Sequence, residues 1–430
     1  MACDRVWQQP GTAQRDSRFP AYNTLQEPYV MLMPSRTKTL PLVPLMLLAL
    51  CLVLFVVPAD SHDGDINLDG AVDVADLLWG LQGLQGSRTL LPEEECHADV
   101  APLAAGVPGP DELFNTGDIA VLLRMLFEDL RFGTPGNQFN IGDSIGEGEA
   151  AYNSAFNITP TPNHETVWST GYDGGDSVNS LNERFENSAP VEYYENNSSR
   201  DGIFNLAESG AVMADFLSQV QGVIAAASLT PSGEAGMVTV LLGSNDVCAP
   251  SNLEMTDPGV FETQFRAGLE ELAASEATRL AQIHVSGIPA IYWLWVAKYD
   301  NFVCQTFIWP FVPCQNLLEN ANDNDCVNSA SSEDPDTIYP GDGGDCERRK
   351  LFHAAIRDTY NPALSRVVAE YRESGKLPNI RYTDIFDVRF YSEHVNNGDC
   401  FHPSEAGHAL LAENEWSRTH WGHPAAVCTP

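Results

Sequence analysis

Positive charge is what this chain has least of: 23 lysines and arginines stand against 59 aspartates and glutamates, for a formal net charge of −36. The imbalance lies beyond residue 61, where 18 basic residues face 55 acidic ones. Such a surface repels the phosphates of nucleic acid and of anionic membranes at long range, so no nucleic-acid partner is expected. Cysteine never occurs as Cys-x-x-Cys, and with that spacing absent zinc is not expected. Long apolar runs reduce to one, Leu40 to Val57.

That run follows Arg36 and Lys38 and precedes Ala59, Asp60 and Ser61. A basic stretch, an apolar core and small residues at a cut are the parts of a signal peptide. Export with cleavage is the expectation, leaving no stable membrane insertion; an uncleaved anchor is the alternative. Eight cysteines then remain: Cys96, Cys248, Cys304, Cys314, Cys326, Cys346, Cys400 and Cys428. An even count in an exported chain suggests disulfides. Cys304 with Cys314 and Cys326 with Cys346 are natural local pairs, and Cys96 is open to pair with a leftover thiol further on.

Residues 65 to 76 read Asp65-Ile-Asn67-Leu-Asp69-Gly70-Ala71-Val72-Asp73-Val-Ala-Asp76. Oxygen side chains at loop positions 1, 3, 5, 9 and 12, a glycine at 6 and the main chain of Ala71 at 7 suit one hard cation, calcium. Leu77, Leu78, Leu81 and Leu84 then recur at helical spacing. A second, degraded loop keeps Asp111, Asn115 and Asp118 at positions 5, 9 and 12, and Ile119 to Leu130 reads as its helix. Its positions 1 and 3 fall on Val107 and Gly109, which offer no side-chain oxygen.

From about Gly136 onward, strand-like runs alternate with helical patterns, the mark of an α/β sheet covered on both faces. Met237 to Leu242, Ile288 to Val296 and Ile380 to Phe386 read as strands, Phe261 to Ile283 as a long amphipathic helix and Ala406 to Trp416 as a closing one. Four fragments fall near the strand ends. Asn140-Ile-Gly-Asp-Ser-Ile-Gly146 delivers Ser144 from a short strand into a glycine-flanked turn, which exposes a hydroxyl for attack on an ester. Asp399, three residues before His402, suits a carboxylate that orients an imidazole base. Gly210 and Asn245 lie between these ends and supply oxyanion donors.

Serine, glycine, asparagine and histidine blocks in that order and spacing resemble the SGNH (GDSL) hydrolases, over residues 136 to 430. The wording Asn205-Leu-Ala-Glu-Ser-Gly210 and Asn245-Asp-Val-Cys248 is most similar to the phospholipase B-like branch. The resemblance implies a flavodoxin-like three-layer α/β/α domain with Ser144 as nucleophile, His402 as general base and Asp399 as its orienter. The Ser144 amide, Gly210 and Asn245 would form the oxyanion hole, and no cofactor is needed for catalysis. Residues 62 to 132 resemble a dockerin type I module, a small all-α unit holding structural calcium, with a cohesin-type scaffold as the implied partner. Residues 1 to 61 are the extension and signal peptide. A serine after the first strand, with acid and base on one loop, does not suit an ordinary α/β-hydrolase.

The expected activity is a secreted ester hydrolase of lipase, esterase or phospholipase type, forming an acyl-enzyme. Its variant is a carbohydrate acetylesterase targeted by the dockerin-like module, and its rival a non-catalytic, calcium-dependent adhesion protein. Residues 297 to 350 are too long for a simple connection. Tyr299, Phe302, Phe307, Trp309 and Phe311 are read there as a flap, clipped by Cys304 and Cys314, that lines an acyl pocket; a small satellite core is the alternative.

Overall fold

The computed structural model describes residues 62–69, 72–104, 106–127, 130–151, 161–172, 175–188, 205–321 and 324–422. The expected signal peptide, Ala71 and Cys428 lie outside them. Among the described residues no helix is long and apolar enough to cross a membrane.

Helix α1 (Val74–Leu84) starts where Asp73 accepts from the Ala75 amide and Asp76 reaches back to the Asp73 amide, a reciprocal cap. Helix α2 (Pro92–Ala98), a two-stranded hairpin of β1 (Leu103–Ala104) and β2 (Val107–Pro108), and α3 (Thr116–Phe127) follow. Ile66, Leu90, Ile119, Leu122, Met125 and Phe132 close a small core of their own among these elements.

A parallel sheet carries the larger part. Strands β3 (Gln138–Gly142), β4 (Met237–Leu241), β5 (Gln282–Ser286) and β6 (Ile380–Thr383) pair in that order. The first three are wholly buried and rich in β-branched or aromatic residues, as strands covered on both faces are. On the free side of β3, Asn205 forms a single parallel bridge with Asn140. The chain therefore leaves β3 towards one side and returns as β4 on the other. A crevice opens at such a reversal, beyond the carboxyl ends of the strands. Helices α5 (Phe216–Ala227), α6 (Pro258–Ala274) and α9 (Asn361–Glu373) pack on one another in one layer. Helices α4 (Leu181–Ser188) and α10 (Glu405–Arg418) pack together in another, with Phe185 edge-on to Trp416. Along the chain, α7 (Tyr292–Lys298) and α8 (Gly344–Ala355) flank the long connection before α9.

Two expected elements move. The strand placed at Ile288 to Val296 is corrected to β5 at Gln282–Ser286, and the aromatic end of the run folds into α7. Pro289 lacks the amide a ladder needs, and the Asn361 side chain pairs with both the Ile288 amide (2.8 Å) and carbonyl (2.9 Å), taking the place of a neighbouring strand. The long helix expected to reach Ile283 stops at Ala274, where Thr278 Oγ1 caps the Leu272 carbonyl at 2.8 Å.

The disulfides also differ. Cys304 pairs with Cys400 and Cys314 with Cys248; only Cys326–Cys346 is the local bond expected. A π-helical turn at 304–308 followed by a 3-10 turn at 309–311 sends the two cysteines to different neighbours. Cys96 is disulfide-bonded as well.

Candidate active site

Gly142 ends β3 under a clamp: Gln219 of α5 accepts from its amide and donates to its carbonyl, both at 2.9 Å. The chain then turns sharply. A Cβ on Gly142 would sit 2.9 Å from the Leu241 carbonyl oxygen, and one on Gly146 would sit 2.7 Å from the Ala207 Cβ, so both positions demand glycine. Asn140 and Asn205 each donate a side-chain amide hydrogen to the Gly146 carbonyl, tying down the far end of the turn. Ser144 sits at its head, 7% exposed.

The other end of the chain arrives as a closed loop. Val395 bridges Pro403, and the Asn396 amide donates to the His402 carbonyl at 2.9 Å. Asn396 Oδ1 accepts from the Gly398 and Asp399 amides, while its Nδ2 donates to the Ala150 carbonyl at 2.7 Å. Asp399 Oδ1 takes the amides of Phe401 and His402, which leaves Oδ2 for the imidazole.

These parts meet. His402 Nδ1 lies 2.6 Å from Asp399 Oδ2, and His402 Nε2 lies 2.9 Å from Ser144 Oγ, across 258 residues of sequence. Burial alone would push the imidazole down, but the Asp399 hydrogen bond and charge, with Glu149 and Asp143, leave its pKa above the ordinary value. Asp143, next to the serine, is wholly buried and pushed up to about 6 by that burial. His408, one helical step into α10, is also buried and held down near 3, consistent with a neutral packing role.

Asn245 stands on a one-turn helix (Ser244–Val247) directly after β4, where Gly243 takes a φ of 122°. One amide hydrogen of Asn245 goes to the Ala211 carbonyl at 3.0 Å. Its neighbour in sequence, Asp246, accepts the Met213 amide at 2.7 Å and is raised to about 6 by burial. Gly210 adopts a φ of 81° at an exposed turn beside Ala211. Asn245 and Ser144 share a cavity; Gly210 is not part of its wall.

That cavity, of about 70 Å³, is walled mainly by apolar groups: Ile145, Pro289, Ile291, Leu294, Phe390 and Phe401 beside Ser144, Asn245 and His402. The expected flap does not line it. Phe302, Phe307 and Phe311 point to solvent instead, and Trp309 is buried with its indole donating to the Cys400 carbonyl at 2.7 Å. The acidic half of the same stretch is structural: Asp325 caps α8 through the Asp345 and Cys346 amides, and Asp342 forms a buried ion pair with Lys350 at 2.9 Å.

Two carboxylates that sequence reasoning passed over stand here as well. Glu149 Oε2 is 3.6 Å from His402 Nε2, and Ser209 Oγ donates towards Glu149 (2.5 Å) and Glu147 (2.7 Å). Their only sequence signal was nearness to Ser144.

In the first acidic loop, Asp65, Asn67 and Asp69 fold back on one another through the Asp69 amide. Asp76 is wholly buried, accepts the Asn67 and Asp73 amides, and has a pKa raised by burial and by the Asp65 and Asp69 charges. Oxygen side chains along one loop, with the Asp65 and Asp69 charges acting on a buried Asp76, suit a hard cation by the chemistry of the donors. The second loop is organised differently. Asp118 gives its oxygens to the Val100, Ala101 and Asn115 amides, Asp111 to Leu113 and Asn115 to Gly117. Expected position 1, Val107, lies in β2 of the hairpin, the amide of position 3, Gly109, goes to the Pro102 carbonyl, and Asp99, ahead of it, accepts the Asp111 and Glu112 amides.

Residues 139–415 match the model of the GDSL-like lipase/acylhydrolase family. No curated protein matches the chain.

Proposed function

We propose, from the premise that this chain belongs to the GDSL-like lipase/acylhydrolase family, that it is an exported serine ester hydrolase working through an acyl-enzyme. The observation that carries the reading is the unbroken hydrogen-bond relay Ser144–His402–Asp399. Serine is a weak nucleophile until a neutral imidazole takes its proton as the oxygen attacks the ester carbon. His402 Nε2 receives that proton, and Asp399 stabilises the imidazolium and holds the tautomer with Nδ1 protonated. The proton then passes to the departing alkoxide, and an alcohol leaves. Water, deprotonated by the same nitrogen, attacks the acyl-serine; the adduct collapses, Nε2 returns the proton to Ser144 Oγ, and the acid is released.

Negative charge on the carbonyl oxygen is met by the Ser144 amide, the Gly210 amide and the second amide hydrogen of Asn245. Losing one such donor costs roughly 3 kcal/mol of barrier. The acyl group occupies the apolar cavity beside Ser144, and substrates of lipid or phospholipase type fit its walls. A second reading draws on its modest size, about 70 Å³ beside Ser144, which suits an acyl group as short as acetyl. A polysaccharide acetylesterase is that reading.

Calcium at Asp65, Asn67, Asp69, Ala71, Asp73 and Asp76 belongs to the module ahead of the catalytic domain, where it would staple the loop and take no part in the reaction. With that loop formed, the exposed Val74 at its end is the surface through which a cohesin-type scaffold would be met.

Ser144→Ala is expected to lower kcat on p-nitrophenyl acetate by at least about a thousandfold, with the thermal midpoint unchanged. Equal turnover by both forms would reject the assignment. Comparing acetate, butyrate and palmitate esters with acetylated xylan separates the two substrate readings.

A further inference from the structure

Four apolar side chains stand in solvent within ten residues of one another: Phe302 (67% exposed), Val303 (52%), Phe307 (62%) and Phe311 (84%). Single exposed apolar residues are ordinary; a cluster of this kind marks a contact surface. Phe302 and Phe307 meet edge to face at 5.9 Å, so the knuckle is preformed. No charged residue occurs between Asp300 and Glu319, in a chain of net charge −36.

This knuckle is bolted to the catalytic apparatus on two sides. Cys304 bonds to Cys400, which lies between Asp399 and His402, and Cys314 bonds to Cys248, which lines the cavity three residues after Asn245. Trp309, inside the knuckle, donates to the Cys400 carbonyl, and Gln315 Nε2 braces the turn through the Trp309 and Val312 carbonyls. An apolar surface so fixed has little freedom to fold inward.

We propose that Phe302, Val303, Phe307 and Phe311 form a rigid docking face for the surface of an uncharged ester droplet, holding the Ser144 cavity at the boundary between oil and water. The inference rests on the ester-hydrolase reading and names the state of its substrate. The chemistry of the face selects the occupant. Its exposed aromatics are phenylalanines, with no phenol or indole tip to lie in a layer of polar headgroups. The acidity of the rest of the chain opposes any anionic membrane. Hydrogen-bonding side chains that would read sugar hydroxyls are absent from the four residues.

The test uses the full chain carrying Ser144→Ala, so that binding is read without turnover. Flotation with a trioctanoin emulsion is expected to carry the protein to the oil layer. Adding Phe302→Ser, Phe307→Ser and Phe311→Ser is expected to weaken partition at least roughly tenfold, since three side chains lose apolar burial. Phe311→Ser alone, the most exposed of them, is the variant least able to disturb folding and should give a smaller loss in the same direction. With Ser144 restored, each Phe variant should hydrolyse soluble p-nitrophenyl acetate within about twofold of the parent. The proposal is overturned if the Ser144→Ala protein stays in the water, if the Phe variants float equally well, or if phosphatidylglycerol vesicles or acetylated xylan capture the protein through the same residues. An inert enzyme that still floats would sink the hydrolase reading and leave the docking face standing.

Discussion

Glu149 is the residue with the clearest untested effect. Its carboxylate lies 3.6 Å from His402 Nε2, on the side opposite Asp399, and stabilises the protonated imidazole. Asp399 and Asp143 act in the same sense, and the buried His408 contributes no positive charge at neutral pH. On the proposed mechanism the neutral ring is the form that accepts the serine proton, so activity should rise as pH climbs through the His402 pKa. Glu149→Gln removes one of the charges that raise it. The acid limb of kcat/KM against pH should therefore move down, with the alkaline side little changed. An acid limb that stays in place would mean that solvent screens Glu149 from the ring. Ser144, Asn245, Asp399 and His402 were legible in sequence because each sits directly at a strand end or on a short loop of distinctive composition. Glu149 and Gln219 were not. Their contacts depend on the path of a turn and on which side of α5 meets β3, and neither is written in local spacing.

Among elements, the loop from Val395 to Pro403 decides whether His402 stands against Ser144. Asn396 holds it from within, and the Cys304–Cys400 bond holds it from outside. Cys400 has a φ of 55°, a conformation few non-glycine residues adopt, in the middle of the segment that sets Asp399 against His402. Replacing both cysteines by serine should lower kcat, since the bond fixes the loop that carries Asp399 and His402. The bond spans 96 residues of sequence, and its loss should cost about 2–4 kcal/mol of stability, read as a lower denaturation midpoint in urea. Loss of stability with kcat intact would show that Asn396 is sufficient to fix the loop. Cysteine spacing pointed instead to a Cys304–Cys314 pair, because proximity in sequence says nothing about the helical turns at 304–311 that separate the two. The same limit misplaced β5. A continuous apolar run such as Ile288 to Val296 suits a buried helix as well as a buried strand, while the true strand is interrupted by Gln282, His284 and Ser286.

At the scale of the whole molecule, two hydrophobic cores are joined by a polar and aromatic seam. The Arg131 amide donates to Asn379 Oδ1, the buried Arg381 guanidinium reaches the Arg131 carbonyl and faces the Phe132 ring, and His420 and Trp421 both meet the Phe132 carbonyl. Composition and alternating patterns announced the larger α/β body, and the acidic loop announced the smaller unit. The seam was silent in sequence, because Asn379, Arg381 and His420 read as ordinary polar positions. Its consequence is testable through the metal. The smaller core is built from few large side chains, Ile66, Leu122 and Phe132 among them, and a unit of that size would gain stability from the proposed calcium ion. Chelation with EGTA should expose the mutual repulsion of Asp65, Asp69 and Asp76 and melt residues 62 to 132 first. Calorimetry should then resolve a low-temperature transition that shifts upward when calcium is restored. The second transition should stay in place and coincide with loss of p-nitrophenyl acetate hydrolysis, because the relay from Ser144 to Asp399 draws on none of the loop's oxygens. A single transition indifferent to calcium would remove the metal from the account. A single calcium-dependent one, carrying activity with it, would mean that the seam couples the two cores into one cooperative unit.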